Sequence, residues 1–490
     1  MSTSAWELAD YDGIGQAELI RSGQVSAREL AQAALERIEQ VDPLLCSVVW
    51  LMQDLDSQLD QLTPDRHGAP LSGVPTLLKD LGADYAGAPE RCGSRFTTDF
   101  VPDGDSELVA RMQRAGLVIV GKSSTSEFGN ANEVTLPGPT HNPWNRALST
   151  GGSSAGAGAA VAARLVPLAH GSDGGGSIRW PAAWCGLFGL KPTRGRNPFG
   201  PHGSEGCAGL PVAHVLSWSV RDSAAALDAL SGPDVGAPFR APEPERPFLA
   251  DLPRPPGQLR IGYCLQAPDR RPVDDDSRAA AALAARLCEE LGHIVEPAEP
   301  VYDVPGIVRE FEALTWDSNA ANIDAWEQRL RRKATEDDIE PLTWMLTARG
   351  RRRSASDHIN SVNRLRRISR EAVRFFEDYD LFLTPTNPSA ARPHAELTPT
   401  AANVDEVWER ELGGGIFLLL GNISGHPAMS VPLYWSAAGL PVGSHFMARH
   451  GREDVLLRLA AQLEQACAWG SRRPLLPGAA QTPAATATGP

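Results

Sequence analysis

Between residues 150 and 196 the chain threads glycine- and serine-rich turns through apolar segments, and nothing else in its 490 residues restricts the fold as much. The stretch opens Thr150-Gly-Gly-Ser-Ser-Ala-Gly-Ala-Gly-Ala-Ala160 and crosses an apolar run at 166–169. It then reaches Gly171-Ser-Asp-Gly-Gly-Gly-Ser-Ile-Arg179 and closes Gly186-Leu-Phe-Gly-Leu-Lys-Pro-Thr-Arg-Gly-Arg196. Glycine loses more backbone freedom on folding than any other residue. Its repeated use inside an ordered core is unfavourable unless the backbone needs angles that glycine reaches easily, or needs N–H groups aimed at a ligand. Both demands fit here. Residues 155–163, almost all alanine and glycine, predict a helix packed very closely against a neighbour. Residues 166–170 predict a strand, and 172–177 the turn that leaves it.

The flanking sequence carries ordinary α/β signals. Ser26-Ala-Arg-Glu29 is a capping box with Val25 and Leu30 placed as its hydrophobic staple, so a helix follows to about residue 40. A second helix is expected over 51–62 and a polar loop over 64–68. Gly73-Val-Pro-Thr-Leu-Leu-Lys-Asp80 reads as a short apolar strand ending in a lysine. A capped helix over 105–115 stops at Gly116, and Leu117-Val-Ile-Val120 follows as a buried strand. The proline-rich segment 241–257 reads as a surface connection. Strand, helix and strand at 259–263, 277–291 and 293–296 make one βαβ unit that extends a sheet. Helical patterning dominates 307–377. A strand at 379–386 runs into a turn, 429–433 and 441–446 form a closing strand pair, and 455–466 is a helix. The alanine-, threonine- and proline-rich residues 477–490 are expected to be disordered.

Several function classes drop out. The net charge of −14 gives no overall footprint for nucleic acid. The basic runs Arg349-Gly-Arg-Arg-Arg353 and Arg364-Leu-Arg-Arg-Ile-Ser-Arg370 read as solvated helix faces. No uncharged apolar run approaches the roughly 20 residues of a membrane-spanning helix. The first residues carry neither a basic region nor an apolar signal core. Seven cysteines without a Cys-x-x-Cys pair suggest reduced thiols in a cytoplasmic protein. The eleven histidines show no His-Glu-x-x-His spacing, so neither a metal nor a cofactor is expected. Gly116-Leu-Val-Ile-Val-Gly-Lys-Ser123 formally matches a Walker A loop. Its variable residues are the strand itself rather than a loop between strand and helix, so nucleotide binding is rejected.

Cleaving an amide requires a nucleophile, a base for its proton and donors for the developing oxyanion. Gly174-Gly-Gly-Ser177 offers a hydroxyl at the edge of a backbone nest whose N–H groups converge. Taken alone, it reads more readily as a tight glycine turn with a solvent-facing serine. No Gly-x-Ser-x-Gly elbow surrounds Ser177, so an α/β-hydrolase triad is unsupported. A lysine serves as base if burial makes it neutral near pH 7. Lys79 is a candidate, although a lysine after an apolar run is often just the exposed end of a strand. Ser153 is a candidate for the proton relay between them. Trp184, Trp316, Trp344 and Trp408 are candidates for lining a pocket, although a large aromatic is more often simply core.

Together, Gly73-Val-Pro-Thr-Leu-Leu-Lys-Asp80, Gly151-Gly-Ser-Ser-Ala-Gly156, Asp173-Gly-Gly-Gly-Ser-Ile-Arg179 and Phe188-Gly-Leu-Lys-Pro-Thr193 resemble the amidase signature family in order and spacing. The resemblance covers most of the chain and is weakest over about 249–379. It implies an α/β fold: one large domain over 1–476 with a central mixed, mostly parallel β-sheet covered by helices on both faces. Within that domain, 1–65 would be a helical N-terminal part, 66–235 the catalytic core, 236–378 a variable insertion and 379–476 the C-terminal part of the core. It implies Ser177 as acyl-forming nucleophile, Ser153 as bridging serine and Lys79 as base, with a cis peptide between Gly152 and Ser153. It implies an oxyanion hole from the N–H groups of Gly174, Gly175, Gly176 and Ser177, and supporting roles for Ser154, Asp173 and Arg179. Gly174 stands where many members carry a bulkier residue, which widens the site.

Arg21-Ser-Gly-Gln-Val-Ser26, Asn142-Pro-Trp-Asn145, Ala169-His-Gly-Ser-Asp173 and Gly451-Arg-Glu-Asp-Val-Leu-Leu457 are most similar to members that cleave cyclic amides, such as the 6-aminohexanoate cyclic dimer. The expected partner is therefore a small, uncharged, largely apolar amide, linear or cyclic, with a homodimer admitted. Esters and carbamates suit the same acyl chemistry. The alternative is the glutaminase subunit of a tRNA-dependent amidotransferase, active only with partner subunits.

Overall fold

The computed structural model describes residues 5–62, 69–201, 203 and 205–476. The loop expected over 64–68 and the tail expected over 477–490 lie outside them. Thirteen strands occur among the described residues: β1 (Val48–Leu51), β2 (Pro75–Lys79), β3 (Val118–Ser123), β4 (His141–Asn142), β5 (Asn145–Ser149), β6 (Leu168–Asp173), β7 (Phe188–Lys191), β8 (Val212–Ser217), β9 (Arg260–Tyr263), β10 (Ile294–Pro297), β11 (Leu381–Pro385), β12 (Ala428–Trp435) and β13 (Pro441–Ala448). Eleven form one mixed sheet in the order β1-β3-β2-β6-β8-β7-β12-β13-β11-β9-β10, and β4 with β5 makes a separate ribbon.

The sheet is mixed as expected, but it is not mostly parallel. Among the described residues β2 runs parallel to β3 and β6, and β9 to β10 and β11. The remaining six ladders are antiparallel. The cause lies at the centre. Strand β8 inserts antiparallel between β6 and β7, and the short turn after β12 permits only an antiparallel return along β13. The βαβ unit forms as read: β9, the helix Asp275–Glu290, then β10 in parallel register.

Helices cover both faces, and the pleat sorts the side chains between them. Leu381, Leu383, Met429 and Phe446 pack with the helices Val220–Leu230, Asp275–Glu290 and Glu453–Cys467. Phe382, Ala428 and Met447 point the other way, toward the helices Val304–Leu330 and Ala355–Ala372. Two local expectations give way to tertiary packing. Leu51, expected to open the second helix, instead ends β1, which pairs with β3, leaving the helix only Leu55–Asp60. The 241–257 connection is anchored by the short helix Phe248–Asp251, because Phe248 and Leu249 donate backbone N–H bonds to the Asp228 carboxylate and Phe248 is core.

The false phosphate loop is strand β3, where Lys122 is buried against Glu90 at 2.6 Å. The basic runs are largely neutralised: Arg349 pairs with Asp405, Arg351 with Asp324 at 2.6 Å, Arg353 with Asp317 at 2.6 Å and Arg364 with Glu310 at 2.7 Å. All seven cysteines are free thiols, and none is among the exposed residues. Among the described residues no helix is long and apolar enough to cross a membrane. No group of three or more His, Cys, Asp or Glu side chains among them is placed to hold a metal ion.

The alanine–glycine helix Ala155–Ala162 is entirely buried. A Cβ on Gly156 would collide with Ser124 N and Ser47 O, both backbone atoms. Gly156→Ala is therefore expected to destabilise the fold at the upper end of the roughly 1–3 kcal/mol range for overpacking, read by denaturant unfolding. An alanine tolerated within about 0.5 kcal/mol, as at an ordinary surface site, would contradict this close approach.

Candidate active site

Three loops converge beside the ends of β2 and β6. Strand β2 is buried along its whole length, Pro-Thr-Leu-Leu-Lys, so the lysine that ends it has no route to solvent. Lys79 is 0% exposed, and its Nζ donates to Ser153 Oγ at 2.7 Å and to Ser172 Oγ at 3.0 Å. Burial draws the amine down to about 7, and the carboxylate of Asp173 only partly offsets this. A lysine that is the exposed end of a strand is thereby ruled out.

Ser153 lies on the second loop, 2% exposed, and the Gly152–Ser153 peptide is cis. Two glycines precede it because nothing larger fits. Gly151 has φ +71°, and a Cβ there would lie 2.8 Å from the Trp180 ring. A Cβ on Gly152 would lie 2.8 Å from Ala131 O and Asn132 Cα. Instead Gly152 N–H donates to Asn132 Oδ1 at 2.8 Å.

Ser177 lies on the third loop, between β6 and the helix Arg179–Cys185. Its hydroxyl makes no hydrogen bond among the described residues, and no hydrogen bond joins it to Ser153. Two of the three glycines before it are also hemmed in: a Cβ on Gly175 would meet the Phe311 ring at 2.9 Å and one on Gly176, at φ +130°, would meet Leu418 at 2.5 Å. At Gly174 an added Cβ would meet only Pro211, at 3.4 Å, so this position does leave room beside the site. Gly176 N–H is engaged, donating to Asp173 Oδ1 at 2.8 Å. The N–H groups of Gly174, Gly175 and Ser177 have no acceptor among the described residues.

The supporting residues tie these loops together. Ser154 N–H donates to Ser177 O at 3.3 Å, and Ser154 Oγ both donates to Ser172 O and accepts Ser172 N–H. Asp173 and Arg179 form a fully buried bidentate pair, with Nε to Oδ2 at 2.9 Å and an η-nitrogen to Oδ1 at 3.0 Å. Burial alone would raise the Asp173 carboxyl, but the guanidinium of Arg179 and the neighbouring Lys191 and Asn422 hold it well below the usual carboxylate range. Arg179 also donates to Leu418 O and to Asn422 Oδ1, and it contacts His445 Nε2 at 3.0 Å.

Ser153, Ser172, Ser177, Gly174 and Gly175 face one chamber of about 1060 Å³. Its walls mix apolar side chains (Leu81, Phe128, Phe311, Leu314, Leu419) with neutral polar ones (Asn130, Asn132, Asn319). Of the four tryptophans proposed as lining, Trp408 faces the chamber, together with Trp180, which the sequence had not singled out. In the wall Arg353 and His358 both pair with Asp317, at 2.6 and 3.0 Å, while among the described residues the carboxyl of Glu411 has only Asn132 as donor. Asn132 and Glu411 stood in no motif of the sequence, and Ser172, inside a quoted one, was given no role there; all three reach the site through tertiary contacts.

Known proteins share this architecture. The family model described as Amidase matches residues 29–457. Over 479 residues the chain is 36% identical to the 6-aminohexanoate-cyclic-dimer hydrolase of Paenarthrobacter ureafaciens, covering 95% of this chain and 96% of that one. The solved structure of a 6-aminohexanoate cyclic dimer hydrolase matches with a TM-score of 0.89 at 35% identity, covering 95% of this chain and 99% of its own. A bacterial aryl acylamidase of the amidase signature enzymes matches with a TM-score of 0.83 at 27% identity, covering 97% and 99%. The fold is thus that of hydrolases acting on amides. This chain belongs to the amidase signature family, as its four sequence motifs implied.

Proposed function

We propose that this amidohydrolase cleaves a carboxamide through an acyl-enzyme on Ser177, with Ser153 as proton relay and Lys79 as base. The observation that carries the reading is the fully buried Lys79 amine hydrogen-bonded to Ser153 Oγ in the wall of the chamber that holds Ser177. A neutral amine accepts the Ser153 proton as Ser153 takes the Ser177 proton, and Ser177 Oγ bonds to the substrate carbonyl carbon. The oxyanion develops against the unpartnered N–H groups of Gly174, Gly175 and Ser177, since Gly176 is committed to Asp173. Collapse breaks the C–N bond, and the proton returns through Ser153 to the leaving nitrogen. Water then attacks the acyl carbon by the same relay, releasing the acid and restoring Ser177.

The substrate we infer is an uncharged, largely apolar amide, linear or cyclic, of the kind the cyclic-dimer hydrolases are named for. The chamber is large for a simple amide, its walls are mainly apolar or neutral, and its guanidinium and imidazole are already paired with Asp317. The test is a panel of the 6-aminohexanoate cyclic dimer, a linear aliphatic amide, an anilide, a carbamate and glutamine, each beside a Ser177→Ala control. A kcat/KM for the cyclic dimer or another apolar amide at least about tenfold above that for glutamine is expected, the scale on which one or two apolar contacts discriminate. Glutamine turnover that arises only with partner subunits would overturn this reading in favour of the amidotransferase role.

A further inference from the structure

We propose that Glu411 is a positioning residue that seats Ser153 through Asn132; the inference rests on the acyl-transfer reading above. Glu411 projects from the helix Val404–Gly414, is 9% exposed and lines the chamber. Its Oε1 accepts the backbone N–H of Asn132 at 3.1 Å, and its Oε2 accepts Asn132 Nδ2. With Nδ2 held there, the other end of the Asn132 amide turns away and accepts Gly152 N–H at 2.8 Å. Gly152 is the residue before Ser153, whose hydroxyl takes the Lys79 hydrogen bond. One chain of hydrogen bonds thus runs from a helix to the relay serine.

The chemistry of the chain leaves a single arrangement. A flipped Asn132 amide would set its oxygen against the carboxylate and its NH₂ against Gly152 N–H, so both side-chain contacts would turn repulsive while the backbone bond to Glu411 stayed. A carboxylate accepts at both oxygens and carries no proton to donate, so it satisfies both Asn132 donors. A glutamine offers one acceptor and would place its own NH₂ against the other donor. A buried carboxyl is costly unless it is well bonded. Burial pushes this one up to about 8, against the opposing Asn132 bonds and with Glu133 adding to the rise. Both oxygens therefore accept from Asn132 together only once the carboxyl has ionised, above that value. A group kept under those conditions for packing alone would be better replaced by an apolar side chain. The same helix end also abuts the Ser177 loop, since a Cβ on Gly415 would lie 3.3 Å from Gly175 O.

The test compares full-length Glu411→Gln, Asn132→Ala and the double variant on a chromogenic anilide at about pH 9, where the Glu411 carboxyl is ionised, with Ser177→Ala alongside. Glu411→Gln is expected to lower kcat by about 10- to 100-fold, the scale of a misplaced catalytic group, with KM changed by less than about threefold. Asn132→Ala should give a similar loss, and the double variant should be no worse than the more damaging single, because both cut one chain. A kcat within about threefold of wild type, a loss confined to KM, or effects that multiply in the double variant would each overturn the proposal. Should Glu411→Gln fail to fold, Glu411→Asp, which withdraws the carboxylate by one methylene, takes its place with the same expectations. If Ser177→Ala keeps its turnover, the acyl-transfer reading itself falls. If Ser177→Ala is dead while Glu411→Gln is unimpaired, only the role of Glu411 falls.

Discussion

Ser177→Ala is expected to lower kcat/KM by about 10⁴- to 10⁶-fold, the range seen when a hydrolase loses its nucleophile, while leaving the melting temperature within a degree or two. The two halves of this result have separate causes. The hydroxyl makes no hydrogen bond among the described residues and faces the chamber, so its removal leaves no buried partner unsatisfied. The turn that presents it is built by Asp173, Arg179 and glycines that the substitution does not touch. The residual rate should come from the N–H groups of Gly174, Gly175 and residue 177, which alanine retains. Steady-state kinetics and thermal unfolding on the same preparation check both halves. A large drop in melting temperature would mean that Ser177 is structural.

Lys79→Met is expected to cost about 10³- to 10⁴-fold in kcat, the upper part of the range for a general acid–base group, and to raise stability. The amine is fully buried, and no ion pair to it occurs among the described residues. Methionine fills similar volume without the desolvation penalty. The sign with pH follows from linkage. The folded lysine releases its proton near 7, the unfolded one near 10.5. Between those values the unfolded chain binds more protons, so this group makes stability rise with pH across that window. In Lys79→Met that contribution disappears. Lys191, drawn to about 7 by burial and then by Arg179, keeps its own, so the difference between the two chains isolates Lys79. The kcat of the wild type should rise through pH 7 as the amine becomes neutral, and the variant should lack that limb. Urea unfolding at pH 7, 8.5 and 10 with parallel kinetics reads both effects. An unchanged slope and an unchanged limb would place the titration elsewhere.

What could be read from the chain divides along a physical line. The glycines at 151, 152, 156, 175 and 176 were legible because each fills a place where a side chain would crowd its neighbours, and such demands are local. The strand ending in Lys79 and the capping box at Ser26 were legible for the same reason. Ladder direction was not, since an apolar run pairs either way; the insertion of β8 between β6 and β7 is decided by the whole sheet. Residues 48–51 became a strand only because the β3 edge was there to pair with. Asn132 and Glu411 lie 279 positions apart and meet across the chamber. Neither sits in a pattern that announces a role. Ser172 stands in a readable motif, yet its bond to Lys79 depends on β2 and β6 lying side by side.

The most direct test of the account is to trap the enzyme during turnover of an activated ester or anilide, quench in acid and locate the acyl group by peptide mass spectrometry. The predicted result is an added acyl mass on Ser177 that accumulates in the wild type and is absent from Lys79→Met. An acyl group on any other residue, or full turnover with no covalent species while Ser177→Ala stays active, would contradict it.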